Sequence, residues 1–199
     1  MIKMKSVREF NLIECKGTPY EIGRQWGEGC KENILKSLEN TFNVMSLLYQ
    51  AAKRDVIAKA MKFYPGVKEF DPYLIEIVHG QADAVGVSFE EVFTQKCVFE
   101  LMVFCTGKIP GLCTSFAATG KATQNGKTLL GQNIDWSPEA TIDLLKIHHA
   151  NGPVQYILSF ADSSEYTLSS AGFGLCANAT IGRDYSFNLP LACYLPRVM

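Results

Sequence analysis

The residues best suited to chemistry begin at Cys113, just after the Gly- and Pro-containing loop 107–112. This cysteine stands at the first position of a predicted strand, where a chain cut before it would make it a new N-terminus. A thiol has a pKa of about 8.5 and an α-amine of about 7.7–8.0, so one residue carrying both holds a base beside its own nucleophile. The predicted chemistry is therefore attack of Cys113 on an acyl carbonyl.

Two further side chains belong to this hypothesis. Asp135 follows the predicted returning strand and is expected to accept from the α-ammonium of Cys113 or to orient substrate. The amide of Asn178 is expected to donate to the developing oxyanion, an effect worth about 3–4 kcal/mol in good cases. Each residue also has an ordinary alternative: a buried thiol for Cys113, a turn or cap for Asp135, and a side chain that satisfies backbone groups at a strand end for Asn178.

Four segments occur in one order along the chain: 17–28, 80–88 with 99–101, 111–118 with 131–135, and 171–178. In this order they resemble the cysteine N-terminal-nucleophile hydrolases of the acyl-coenzyme A:6-aminopenicillanic acid acyltransferase family. The resemblance implies an αββα sandwich, self-cleavage before Cys113, and hydrolysis or acyl transfer through a Cys113 acyl-enzyme. It implies a small-molecule partner, either a linear or β-lactam-like amide or an acyl thioester with acyl-coenzyme A as donor, and no metal or redox cofactor.

Three departures from the family pattern keep a second interpretation open. Leu112 stands where the family usually has Gly, and Ser169 stands where an Asn is expected. Family members also continue past residue 199, so we expect that these 199 residues are not the whole functional unit, with the apolar segment 187–195 in need of a covering partner. The alternative is an inactive or truncated relative that acts as a non-enzymatic or self-associating protein, such as a homo-oligomer.

Composition narrows the class of protein. The formal charge of −1 over 199 residues disfavours an electrostatic nucleic-acid binder, and 47% hydrophobic residues favour a globular fold. No spanning segment and no secretory apolar run are recognisable, so a cytoplasmic protein without membrane contact is expected. The seven cysteines lack paired spacing, and His79, His148 and His149 lack ligand spacing, so neither a disulfide framework nor a metal site is predicted.

The elements that must position the site divide the chain into two parts of one domain, 1–199. Residues 1–112 carry capping-box signals and helical periodicity, which predict helices from 18 through 42, then over 47–63, 72–85 and 88–104. A stop is predicted at Tyr64-Pro65-Gly66. Residues 113–199 predict strands over 113–118, 128–133, 144–149, 154–160 and 166–168, in addition to an N-terminal strand over 7–15. The expected fold is α+β, with two antiparallel sheets between helical layers.

Overall fold

The helices come first and most of the strands second in the computed structural model, which describes residues 10, 12–106, 113–136, 139–178 and 186–194. The helices are α1 Pro19–Gly29, α2 Lys31–Tyr49, α3 Lys53–Ala60, α4 Tyr64–Phe70, α5 Pro72–Val85, α6 Phe89–Lys96, α7 Val98–Thr106 and α8 Leu191–Tyr194, with a 3₁₀ turn over Met61–Phe63. The strands are β1 Leu12–Gly17, β2 Cys113–Gly120, β3 Gly126–Ile134, β4 Ile142–His149, β5 Val154–Phe160, β6 Ser163–Ser169 and β7 Phe173–Leu175. The predicted α+β class is confirmed.

The strands form two sheets. Five strands pair in the order β1-β4-β5-β6-β7, and β2 and β3 form a separate antiparallel hairpin. The expectation of purely antiparallel sheets is wrong, because β1 runs parallel to β4, with Cys15 opposite Ile147. A parallel pair requires a long crossover, and here the described helices α1 to α7 and the hairpin lie between the two strands in the chain.

One face of the five-stranded sheet is buried by α1 and α5. Cys15, Leu145, Ile147 and Ile157 point to this face and pack against Trp26 and other apolar side chains of the helices. A second apolar cluster lies among the helices themselves, around Phe63 and Phe93. No helix in the described ranges has the length and apolar character needed to cross a membrane.

Helix starts were the best-predicted feature. At α1, Thr18 accepts from the backbone of Glu21 while the Glu21 carboxylate accepts from Thr18, which is the predicted capping box. Ser88 and Glu91 make the same reciprocal pair at α6. Helix α5 has the predicted bounds, with Asp71 as its N-cap and Gly86 ending it in the left-handed region at a φ of 85°. Local side-chain to backbone bonds explain why these boundaries are readable in sequence.

Several predicted boundaries were wrong. The first predicted helix is interrupted at Cys30, the region 47–63 breaks after Tyr49, and the helix from Ser88 breaks at Cys97. The predicted stop at Tyr64-Pro65-Gly66 instead opens α4, because proline is tolerated in a first helical turn, where its missing N–H is not needed. Strand β7 was not predicted. Of the predicted strand 7–15, residues 12–15 form the start of β1, and residues 7–9 and 11 lie outside the described residues.

The C-terminal described segment packs on the helices. The ring of Phe187 lies 4.6 Å from that of Phe104 and 5.0 Å from that of Phe63, measured between centroids. Ala192 and Cys193 in α8 are buried, and the backbone N–H of Leu191 donates to Glu100 at 2.7 Å. These apolar residues, which we expected to need a covering partner, lie largely against the helical cluster.

Candidate active site

The hairpin β2–β3 presents Cys113 at its open end. Cys113 pairs with Ile134, and Ser115 pairs with Gln132 two residues further along. Because alternate strand residues share a face, these four side chains project from the same side of the hairpin. That side lies near the β6–β7 edge of the larger sheet, where a Cβ placed on Gly174 would come within 3.1 Å of Leu130.

The segment after β7 is held against this face by side chains. The amide of Gln132 donates through Nε2 to the carbonyl of Ala177, and its Oε1 accepts from the N–H of Ala177 at 3.0 Å. The next residue, Asn178, donates from Nδ2 to Oγ of Ser115 at 2.6 Å. Asn178 is therefore held beside the strand that carries Cys113 by a side-chain contact.

A cavity of about 360 Å³ is lined by both Cys113 and Asn178. This volume is within the range of small-molecule sites. Helices α2, α6 and α7 form one side, and Trp136 and the β5–β6 turn form another. The lining side chains on the apolar side include Val44, Met45, Leu47, Val98, Phe99, Met102, Trp136, Phe160, Tyr166 and Leu191. Among the described residues that line it, the one carboxylate is the exposed Glu139, which pairs with Lys36 at 3.2 Å.

The rear of the cavity is braced by a buried polar network. At the tight turn between β5 and β6, Ala161 and Asp162 both adopt positive φ, 51° and 61°. Helix α6 holds this turn, because Gln95 donates to the carbonyl of Ala161 at 2.8 Å and Lys96 donates to the Asp162 carboxylate at 2.8 Å. Thr41 of α2 donates in turn to Gln95 at 2.8 Å. The left-handed conformation of Ala161 is costly by itself, so these bonds fix the wall residues.

The ionised pair behind the wall is fully enclosed. Lys96 and Asp162 have side chains only 2% and 1% exposed, and Gln81 donates to the second carboxylate oxygen at 3.1 Å. Burial raises the pKa of Asp162, and the neighbouring Lys96 ammonium acts in the opposite direction. The ammonium also lies 4.6 Å from the centre of the Trp26 ring. This pair does not line the cavity, so we assign it a role in the stability of the fold rather than in chemistry.

Asp135 lies at a different place from the other two predicted residues. It follows the last residue of β3, its side chain is exposed, and it does not line the cavity. The hairpin register pairs Cys113 with Ile134, which puts Asp135 one position beyond, at the end where the chain enters Cys113. The structure thus puts Cys113 and Asn178 in the lining of one cavity, whereas Asp135 lies outside that lining.

Sequence reasoning missed the residues that connect this site. Ser115 and Gln132 lie inside the motif segments 111–118 and 131–135 but were given no role, and Trp136 lies just after the second segment. The two-residue spacing between Cys113 and Ser115 is the one available signal, because side chains two positions apart in a strand project from the same face. Nothing in the sequence signals that the segment 176–178 packs against the hairpin, since that contact joins positions 45 residues apart.

A second cavity of about 340 Å³ lies at the other end of the sheet and contains none of the predicted site residues. His149 is part of its wall, between Tyr73 Oη at 2.9 Å and Gln155 Oε1 at 3.0 Å. The tautomer that donates from Nε2 to the Gln155 oxygen accepts at Nδ1 from the tyrosine hydroxyl, so both ring nitrogens have a partner. His149 is thereby accounted for as a hydrogen-bonding side chain of this wall.

Over the described ranges of the chain, no three His, Cys, Asp or Glu side chains are grouped as metal ligands would be. A comparison with models of known protein families gives no match. A comparison with curated proteins gives no significant match either.

Proposed function

We propose that this chain is a cysteine amidohydrolase or acyltransferase that works through an acyl-enzyme on Cys113. The observation that carries the proposal is that the Cys113 thiol and the Asn178 amide line the same cavity, with Asn178 fixed by Ser115. A nucleophile and a fixed amide donor in one cavity are two of the parts that acyl transfer requires. The N-terminal-nucleophile αββα architecture is the fold we propose to accompany this chemistry.

The proposed reaction has two stages. The Cys113 sulfur attacks the substrate carbonyl while its proton passes to the α-amine, and the oxyanion accepts a hydrogen bond from Asn178 Nδ2. Collapse breaks the bond to the leaving amine or thiol, which takes the proton, and leaves a thioester on Cys113. Attack by water completes a hydrolysis, whereas attack by an acceptor amine completes an acyl transfer.

The α-amine exists only if the peptide bond between residues 112 and 113 is broken. We propose self-cleavage there: the Cys113 thiol attacks the carbonyl of residue 112, the C–N bond breaks and the freed α-amine takes the thiol proton. Water then hydrolyses the resulting thioester and releases the thiol. Asp135 stands one register position beyond the partner of Cys113, at the end where the new ammonium would form. Its proposed role is therefore to accept from that ammonium rather than to contact substrate in the cavity.

The cavity favours an uncharged acyl group. Its walls are mainly apolar and aromatic, with neutral amides and hydroxyls such as Asn40, Thr41 and Gln95 among them. Burying a charged group without a partner is expensive, and Glu139, the one carboxylate among the described lining residues, is already paired with Lys36. An amide or thioester with an apolar acyl chain is the proposed substrate, and an acyl-coenzyme A is one such donor.

Mass spectrometry and a substrate panel test the proposal. The purified protein is expected to give fragments 1–112 and 113–199, and a p-nitrophenyl ester is expected to add one acyl group to the second fragment. Cys113→Ala should abolish both results, whereas Cys176→Ala, which removes a neighbouring half-buried thiol, should leave both intact. Loss of acylation in neither variant, or in both, would overturn the assignment of Cys113.

A second candidate function, self-association without catalysis, is favoured by the outer face of the hairpin. Phe116 and Leu129 project there with 60% and 55% of their surface exposed, and Phe116 lies over Gly131. Light scattering with Leu129→Gln as the test variant distinguishes the two candidates. Self-association would be favoured by three results together: the chain stays intact, it forms no acyl-enzyme, and it forms a concentration-dependent oligomer that Leu129→Gln dissociates.

A further inference from the structure

The Asn178 side chain is held by a hydroxyl that the chemistry of Cys113 leaves unused. Nδ2 of Asn178 donates to Ser115 Oγ at 2.6 Å. A primary amide has two N–H donors, so this bond occupies one of them and leaves the other for a second acceptor. Ser115 is two residues from Cys113 in β2 and projects from the same strand face.

The backbone next to Asn178 is held by the cross-strand neighbour of Ser115. Gln132 pairs with Ser115 in the hairpin register, and its side-chain amide bonds both the N–H and the carbonyl of Ala177. Strand pairing ends at Leu175, opposite Thr167, so Ala177 lies beyond the ladder. Two side-chain bonds from Gln132 take the place of the missing strand partner there.

We propose that Ser115 and Gln132 are positioning residues that fix Asn178 as the oxyanion donor, a role that rests on the proposed acyl-enzyme function. A donor accelerates acyl transfer only when it is already aimed at the site where negative charge develops. Asn178 is exposed and outside any regular element, so without these bonds its amide would have to be ordered in each turnover. One cross-strand pair thus fixes both the backbone and the amide of the donor segment.

The test compares Ser115→Ala, Ser115→Thr and Gln132→Met with the unsubstituted protein, using p-nitrophenyl esters and following the acyl-enzyme. Ser115→Ala and Gln132→Met are expected to lower kcat by about ten- to a hundred-fold, with KM changed by less than about two-fold, because the donor acts on the transition state. Ser115→Thr keeps the hydroxyl and should restore most of the rate. Adding Ser115→Ala to Asn178→Ala should cause less than about a two-fold further loss.

Two controls separate positioning from general damage. Alkylation of Cys113 by iodoacetamide builds no oxyanion, so its rate should stay within about two-fold in all positioning variants. Thr119→Ala removes a hairpin hydroxyl that bonds Thr128 at 3.1 Å, away from the cavity, and should leave kcat unchanged. Circular dichroism of each variant checks that the fold is kept.

The outcomes are distinguishable. If the unsubstituted protein forms an acyl-enzyme and Ser115→Ala and Gln132→Met turn over at the same rate, the positioning role is wrong and the proposed function stands. If the unsubstituted protein forms no acyl-enzyme on Cys113, the proposed function is wrong and the positioning role is overturned with it. Equal losses of ester turnover and of alkylation rate would also overturn positioning, because they indicate a displaced thiol.

Discussion

The environment of each thiol distinguishes Cys113 from the other cysteines whose side chains are described. Cys15, Cys30, Cys97 and Cys193 are buried, whereas Cys113 and Cys176 are half-buried. Burial raises the pKa of Cys15 to about 11 and the pKa of Cys97 well above its usual range. Since the thiolate is the reactive form, buried thiols of this kind react slowly at neutral pH.

Cys113 should therefore be the first thiol to be alkylated. With iodoacetamide at pH 7.5 we expect its labelling to be at least about ten-fold faster than that of the four buried thiols. Cys176 is the stricter comparison, because it is also half-buried but burial raises its pKa. Peptide mapping over time measures the order, and labelling of another cysteine while Cys113 stays unmodified would count against its assignment as nucleophile.

Cys15 should make the protein less stable at alkaline pH. An unfolded thiol ionises near pH 8.5, whereas the folded pKa is about 11, so above pH 8.5 the unfolded state binds fewer protons. The free energy of unfolding then falls as pH rises, by at most about 1.4 kcal/mol per pH unit for this thiol. Urea unfolding at pH 7.5 and 9.5 should show a smaller decrease for Cys15→Ala than for the unsubstituted protein. Equal decreases would show that Cys15 does not contribute.

Close packing between α1 and α5 depends on glycines at helical spacing. A Cβ on Gly23 would lie 2.0 Å from the carbonyl oxygen of Ile77, and one on Gly80 would lie 2.1 Å from that of Tyr20. Gly27, one turn after Gly23, faces Ala84 and Gln81 in the same way. The glycines in the N-terminal motif therefore have a packing explanation, and the same helices cover the buried face of the sheet.

Gly80→Ala should consequently be strongly destabilising. Because the added methyl would meet backbone rather than a flexible side chain, we expect a loss of about 2–3 kcal/mol or more. Gly27→Ala should cost less, since its nearest neighbour is the Ala84 Cβ at 2.8 Å. The exposed turn residue Gly152, whose nearest atom is 3.3 Å away, is the matched control. Thermal unfolding should rank the variants in that order, and equal melting temperatures for Gly80→Ala and Gly152→Ala would contradict it.

At the scale of the whole molecule, a buried ion pair joins the helical layer to the sheet. Lys96 comes from α6, Asp162 from the β5–β6 turn and Gln81 from α5, so three separate elements meet at one carboxylate. Removing one member of such a pair typically lowers the free energy of unfolding by about 3–5 kcal/mol, because it leaves the other charge buried without a partner. The pair contributes to how the layers are joined even though it takes no part in the proposed chemistry.

Lys96→Met tests this coupling. We expect it to lower the free energy of unfolding by about 3–5 kcal/mol at pH 7.5. The loss should shrink toward pH 5. Burial raises the pKa of Asp162, and a carboxyl group that has lost its partner is less costly to bury when it is protonated. Arg24→Met removes the exposed pair with Glu28 and should cost less than about 1 kcal/mol. Similar losses for both variants in urea unfolding would contradict the structural role of the buried pair.

Features encoded within a few residues could be predicted from sequence alone. The two capping boxes, helix α5 and strand β5 occur where the pattern predicts them. All of them depend on local bonds or on alternation along one strand. Cys113 as a candidate nucleophile belongs here too, since it rests on a residue type and its position after a loop. Its role stays a prediction.

Contacts between distant parts of the chain were decided by the tertiary structure. The parallel pairing of β1 with β4 joins residues more than 130 positions apart, and no local pattern specifies which strand becomes the neighbour. The same holds for the bonds from Ser115 and Gln132 to the segment 177–178, and for the position of Asp135 outside the cavity. Local sequence patterns indicate the elements and the candidate residues. Which elements pack together is determined by the burial of apolar faces and the pairing of buried polar groups.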